Sequence, residues 1–240
     1  MAATISVALP VYNGALYLAE QLDSILQQLE PQDEIVAAYQ PSTDESLAIL
    51  EHYRSIDPRV KILHNCKTGI TANFNLAISH CTGDYIFLSD QDDVWLPEKR
   101  RVVVAAFARS NADMIIHNAV HTDALLHRED KTFFQIYPIG PGKWKNIKTP
   151  RMSGCCMAFS RKMRDRLLPL PEIHGYDQWI AVVAEFTGSI KYLEDVLLLH
   201  RLHGENSTTS TRKLSIVLRC RAKLLCCLVL RLCRVGIRGS

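Results

Sequence analysis

Short apolar runs alternate with stretches of helical periodicity along most of this chain. Residues 5–9 form the first run, closed by Pro10 and the turn signal Asn13-Gly14. Leu18, Leu22, Ile25, Leu26 and Leu29 then recur at helical spacing through 16–29, and Pro31 ends the segment. Residues 34–38 read as a second strand. After the turn Gln40-Pro41-Ser42, Ser42 or Thr43-Asp44 can cap a helix running to about residue 55. A third strand is predicted at 60–63, a helix opened by Gly69 runs to about residue 80, and Thr82-Gly83 stops it. Residues 85–89 form the fourth strand. This alternation predicts an α/β fold with a mostly parallel sheet flanked by helices. In such sheets ligands bind outside the carboxyl ends of the strands, so Asn13, Gln40, Asn65 and Asp90 are expected on one rim.

The second half is less regular. A helix is predicted from Pro97 to about residue 110, strands at 113–118 and 153–160, a helix at 176–187, and a strand pair at 190–193 and 196–199. Between them, 121–150 carries Pro138, Gly140, Pro141, Gly142 and Pro150 and reads as a long irregular loop, a candidate functional segment. Residues 200–211 are polar and loop-like.

Charge divides the chain unevenly. The net charge of +3 hides a tail, 212–240, with eight Lys/Arg and no acid, on a body, 1–211, with a net charge of −5. On a helical wheel Arg212, Arg219, Lys223, Arg234 and Arg238 gather within about a third of the circumference. Leu214, Val217, Leu218, Leu224, Leu225, Leu228, Leu232 and Val235 cover the opposite side, and Arg221 is the misfit. Such a helix suits the plane of an anionic membrane surface; packing on the body is the alternative. Nucleic acid is not the expected partner, because the tail has no aromatic residue to stack on bases. The tail's longest apolar run, 224–230, is too short to span a bilayer. The chain enters its first strand directly, so no signal peptide is expected. The eight cysteines include two adjacent pairs and no C-x-x-C, which fits reduced thiols in a cytosolic compartment rather than a disulfide frame or a structural zinc site.

The fourth strand runs into Ser89-Asp90-Gln91-Asp92-Asp93-Val94-Trp95, three carboxylates within four positions. Clustered acids repel one another unless a cation lies between them. Hard cations such as Mg²⁺ or Mn²⁺ take oxygen ligands and share their shell with substrate phosphates, so the run reads as a metal–diphosphate site, with a solvated acidic turn as the plain alternative.

The ordered motifs Val7-Ala8-Leu9-Pro10-Val11-Tyr12-Asn13-Gly14, Ser42-Thr43-Asp44, Gly69 with Asn73, the acidic run, Gly175-Tyr176-Asp177-Gln178-Trp179-Ile180 and Arg201-Leu202-His203-Gly204-Glu205-Asn206-Ser207-Thr208 resemble the inverting family 2 glycosyltransferases of GT-A fold. The likeness covers about 4–210 and is nearest to the bacterial surface-polysaccharide (O-antigen and capsule) type. It implies a GT-A domain at 1–211, split into a nucleotide-binding half, 1–95, and an acceptor-binding half, 96–211, followed by the basic amphipathic tail.

The resemblance also implies roles. Asp90 and Asp92 would form the D-x-D pair holding Mg²⁺ or Mn²⁺ against the donor diphosphate, Asp90 also facing the ribose, and His203 would complete the metal shell. Asp93 would be a third acid of the site or a capping residue. Asp177 would be the general base that takes the acceptor hydroxyl's proton, and Trp179 would line the acceptor site or pack beneath it. Pro10, Tyr12 and Asn13 would cradle the nucleobase and ribose, with Gln40, Asp44, Gly69 and Asn73 on the nucleotide side and Arg201 as a phosphate donor. Trp95 is expected to be a packing residue. One departure stands out: Tyr39-Gln40-Pro41 occupies the place of the family's acidic Asp-Asp-Gly, which removes the carboxylate that reads a pyrimidine N–H.

The expectation is therefore an inverting, metal-dependent transferase. It would move a sugar from a UDP- or dTDP-sugar to a hydroxyl of a lipid-linked saccharide at the inner face of the membrane. The rival is a degenerate, non-catalytic family member that binds saccharide or scaffolds a membrane assembly. A nucleotidyltransferase is disfavoured, since 10–16 has no basic glycine-rich phosphate loop.

Overall fold

The computed structural model describes residues 3–149, 152–173, 175–203 and 214–238. The first half is the predicted alternation. Strands β1 (Ile5–Val11), β2 (Glu34–Tyr39), β3 (Val60–His64) and β4 (Tyr85–Leu88) are separated by helices α1 (Leu18–Leu26), α2 (Ser46–Ile56) and α3 (Ile70–His80). The four strands pair in parallel in the order β3-β2-β1-β4. β1 and β2 are buried along their whole length, which is why they read as continuous apolar runs rather than alternating ones. All four carboxyl ends share an edge, so residues 12–13, 40, 65 and 89–93 meet on one rim.

The sheet then becomes mixed. β5 (Val94–Trp95) precedes α4 (Lys99–Ser110) and β6 (Met114–Thr122). The stretch expected to be irregular contains β7 (Arg128–Thr132), α5 (Phe133–Ile136) and α6 (Lys143–Lys148). β7 is an exposed strand, Arg-Glu-Asp-Lys-Thr, without an apolar face, so periodicity could not announce it. The predicted strand at 153–160 begins as a 3₁₀ turn (Gly154–Cys156), and only β8 (Met157–Ser160) is extended. α7 (Arg161–Leu167), absent from the sequence reading, starts on a Ser160 cap that accepts from the Met163 N–H. α8 (Tyr176–Thr187) matches expectation, and the last two predicted runs fuse into one strand, β9 (Ile190–Arg201).

β8 pairs antiparallel with β4 and β6, while β9 runs parallel to β6 and antiparallel to β5. The β5–β9 pairing sets Val94 against Leu199, which brings the chain after β9 beside the acids of the β4–β5 loop. One hydrophobic core runs through both halves of the sheet.

The tail is helix α9 (Leu214–Arg238). It packs on the body through Leu224 and Leu228, and Arg231 is buried with them. Leu218 and Leu225, predicted to share an apolar side with those leucines, instead face solvent, as does Val229. The side chains of Leu214, Val235 and Arg238, and residues Arg212 and Lys213 altogether, lie outside the described residues. No helix among the described residues is long and apolar enough to cross a membrane.

Candidate active site

The acidic loop is built on two neighbouring strand ends. Gln91 fixes it to the end of β1: its Oε1 accepts from the Tyr12 N–H at 2.8 Å and its Nε2 donates to the Tyr12 carbonyl at 2.9 Å. Gly14 leaves room for that amide, because a Cβ there would come within 2.4 Å of Gln91 Oε1. On the other side, Ser89 Oγ accepts from Gln21 Nε2 at 2.6 Å and from the Trp95 indole N–H at 3.2 Å. Trp95 is a buried packing residue, as expected.

The acids are not equivalent. Asp92 Oδ2 and His203 Nε2 lie 2.8 Å apart. Asp93 is 1% exposed; its Oδ1 accepts from the Arg201 backbone N–H, and its Oδ2 has no hydrogen-bond partner. Asp90 is held well above the usual carboxylate range, first by burial, then by the charges of Asp93, Asp92 and Asp177. Burial and the Asp92 charge push Asp93 up to about 7. Asp177 therefore shares an electrostatic site with the acidic loop, although it stands on a different element. It opens α8, half-buried, with Oδ1 accepting from the Gln178 N–H at 2.7 Å. Stacking of Tyr176 on Phe74, 4.3 Å between ring centroids, locks this end of α8 against α3.

A buried cation that the motif reading missed sits among the acids. The Lys99 ammonium donates to the Cys155 carbonyl at 3.1 Å and lies 4.2 Å from the Trp95 ring centroid. Burial pulls it down to about 8, against the attraction of Cys156, Cys155, Asp93 and Asp90. A lysine at the start of a helix opposes the helix dipole, and that mismatch was the available signal.

Among the described residues, one group of three donors could hold a metal ion: the ligand atoms of Asp93, Cys155 and His200 all lie within 4.8 Å of one another, and its thiol suits a softer ion than Mg²⁺. Lys99 already places a positive charge next to that group. Asp92 and His203 form a separate pair, one carboxylate and one imidazole, that feels the charge of Asp90 but is not gathered with it into a three-ligand site.

The other predicted residues divide by what they touch. Tyr12 is 49% exposed on the rim, whereas Pro10 is buried within β1. Asn13 joins the ends of β1 and β2, its N–H donating to Ser42 Oγ and its Oδ1 accepting from the Thr43 N–H. Asp44 accepts from the Ala15 and Ser46 N–H groups and the Ser46 hydroxyl; these bonds outweigh burial and hold its carboxyl below the usual range. Gly69, at φ 102°, begins the turn into α3, and its N–H donates to Gln40 Oε1 at 2.8 Å. Asn73 accepts from Asn65 Nδ2 at 2.6 Å.

Arg201 differs from expectation. It is 2% exposed, and its guanidinium donates to the Asp92 and Ala124 carbonyls and to Glu20 while lying 4.4 Å over the Tyr17 ring. This arrangement braces the acidic loop rather than presenting a fork to phosphate. Trp179 packs beneath the site, its indole N–H donating to the Leu167 carbonyl. The motif stretch 204–208 lies outside the described residues.

The model of the family described as glycosyl transferase family 2 matches residues 6–168, well over half of the chain. The chain belongs to glycosyl transferase family 2. Among curated family relatives, an uncharacterized glycosyltransferase of Nostoc sp. is 28% identical over 86% of this chain and 67% of its own length. The chondroitin synthase of Escherichia coli is 25% identical over 88% of this chain but only 30% of its own. The chain thus spans between about a third and two-thirds of these relatives. The crystal structure of Staphylococcus aureus TarS 1–349 in complex with UDP-GlcNAc superposes with a TM-score of 0.72 at 19% identity, over 92% of this chain and 66% of that one. The mannosyltransferase PcManGT from Pyrobaculum calidifontis, in complex with GDP-Man and Mn²⁺, gives 0.62 at 18% identity, over 98% and 76%. The fold is that of the GT-A glycosyltransferases, and the chain is a glycosyltransferase.

Proposed function

We propose that this glycosyltransferase moves a sugar from a nucleotide donor, a UDP- or dTDP-sugar, to a hydroxyl of a lipid-linked saccharide, with inversion and with Mg²⁺ or Mn²⁺ as cofactor. The pairing of Asp92 with His203 next to Asp90, at the rim of four parallel strands, carries this reading. The mannosyltransferase PcManGT, similar in fold, is in complex with GDP-Man and Mn²⁺, which supports it. Residues 1–95 would form the nucleotide half and 96–211 the acceptor half.

Asp92 and His203 would hold the ion, with Asp90 toward the ribose and diphosphate. A bound divalent cation supplies positive charge against the departing diphosphate. Tyr12 would cover the nucleobase, and Asn13, Asp44, Gly69 and Asn73 keep the rim loops in shape for it. Asp177 accepts the proton of the acceptor hydroxyl as its oxygen bonds the anomeric carbon and the bond from that carbon to the diphosphate oxygen breaks.

The basic tail supports a site of action at an anionic membrane surface, on its cytoplasmic face. The exposed Leu218, Leu225 and Val229 lie beside the exposed cations Arg219, Lys223 and Arg234, which suits lipid acyl chains and headgroups.

Nucleoside diphosphate release should be assayed from UDP-glucose, UDP-galactose, UDP-GlcNAc and dTDP-rhamnose, with Mn²⁺ and a bacterial lipid-linked oligosaccharide extract. Acceptor-dependent release that disappears in both Asp92→Asn and Asp177→Asn supports the reading. Full activity in both variants contradicts it. The degenerate-member reading rests on Tyr39-Gln40-Pro41 and predicts that none of the four donors reacts.

A further inference from the structure

Arg221 breaks the amphipathic pattern of the tail, and its contacts explain why. It reaches the body and bridges two elements, donating from Nε to the Lys148 carbonyl at the end of α6 and from Nη1 to Gln178 Oε1 on α8. Gln178 is 3% exposed and follows Asp177 directly. Its Nε2 donates to the Asn146 and Ile147 carbonyls at 2.6 and 3.0 Å, and its backbone N–H donates to Asp177 Oδ1. Arg221 thus closes a network that fixes the residue orienting the Asp177 carboxylate.

Nearly three turns further along α9, Arg231 repeats the grip. It is 8% exposed and donates to the carbonyls of Arg166, Leu168 and Pro169 at 2.7, 2.5 and 2.7 Å. These are carbonyls at and just beyond the end of α7, where a cation is favoured by the helix dipole. The same guanidinium lies 5.2 Å from the ring of Trp179, whose indole N–H donates to Leu167. Lys223 Nζ adds a bond to the Glu172 carbonyl at 2.6 Å. The three side chains together tie α9 to the segment that leads into α8.

We propose that α9 is a positioning clamp for the general-base end of α8, with Arg221 and Arg231 as its positioning residues. The inference rests on the proposed role of Asp177. Leu224 and Leu228 already hold the helix to the body; the half-buried Arg221 and the buried Arg231 reach instead for the residue next to Asp177 and for the ring of Trp179. Loss of Arg221 leaves the Gln178 side chain without its third partner and loosens the first turn of α8. Displacements on the order of 1 Å in a catalytic group cost about 100-fold in rate.

The test uses the full chain with Arg221→Met, Arg221→Lys and Asp177→Asn. Amide hydrogen exchange across 176–180 should quicken by about tenfold in Arg221→Met and recover in part in Arg221→Lys, with the β1–β4 amides unchanged. With Mn²⁺ and the donor found active in the panel above, kcat should fall about 10- to 100-fold in Arg221→Met at unchanged donor KM, and the acid limb of its pH profile should shift. Unchanged exchange and kcat in Arg221→Met, with Asp177→Asn inactive, would overturn the clamp and leave the base assignment standing. Full activity in Asp177→Asn would overturn both.

Discussion

The Asp92 carboxylate meets the His203 imidazole at 2.8 Å across 111 positions of chain. The short β5–β9 pairing makes this meeting possible, because it returns the chain after β9 to the acidic loop. His203→Ala should therefore raise the Mn²⁺ concentration for half-maximal activity by at least tenfold, a loss of about 1.4 kcal/mol in metal binding. A metal titration of the initial rate checks this, and an unchanged midpoint would remove His203 from the metal shell.

Metal should stabilise the protein more at neutral than at acid pH. Asp93, ordinarily ionised above about pH 4, is pushed up to about 7 in the folded chain. Between those values the folded state holds a proton that the unfolded state releases, so stability falls as pH rises through that window. Lys99, pulled down to about 8, acts in the opposite sense only above that value. A divalent cation favours ionised carboxylates and relieves the cost. Thermal unfolding should show a larger Mn²⁺-induced rise in Tm near pH 7.5 than near pH 5, and equal rises would contradict this.

Gln40 should read a base acceptor rather than a base N–H. The Gly69 N–H holds its Oε1 at 2.8 Å, which leaves the amide NH₂ as the group it offers to a ligand. Gln40→Glu keeps an acceptor for Gly69 but turns that donor into a carboxylate oxygen. UDP binding should weaken by at least tenfold, as measured by calorimetry with Mn²⁺. Tighter binding would show that the pocket wants the acid its relatives carry.

The exposed stripe of α9 should bind anionic lipid. Leu225→Glu with Val229→Glu places two acids on the solvent face and leaves the buried Leu224 and Leu228 in place. Co-sedimentation with phosphatidylglycerol vesicles should fall by at least tenfold, with secondary structure unchanged. Equal sedimentation by the variant would rule out this face as the membrane contact.

Most of the nucleotide half was legible in the sequence, because buried parallel strands are short apolar runs and the helices between them keep one apolar stripe. The rim followed from topology alone, since Asn13, Gln40, Asn65 and Asp90 each end a parallel strand. The second half was harder for local reasons. β7 has no apolar face, and the 3₁₀ turn at Gly154–Cys156 is as apolar as the strand it precedes. Contacts between distant positions carried no local signal. Nothing in sequence spacing joins Arg201 to Glu20 and Tyr17, or Arg221 to Gln178; Arg221 stood out only as a misfit on the wheel of its own helix.

The most direct test of the central claim is calorimetric titration of the full chain with UDP and dTDP, each with and without Mn²⁺, repeated on Asp92→Ala. The account predicts that one nucleotide binds only with Mn²⁺ and that Asp92→Ala abolishes this binding. Binding that ignores both the metal and the substitution, or no binding by either nucleotide, would contradict it.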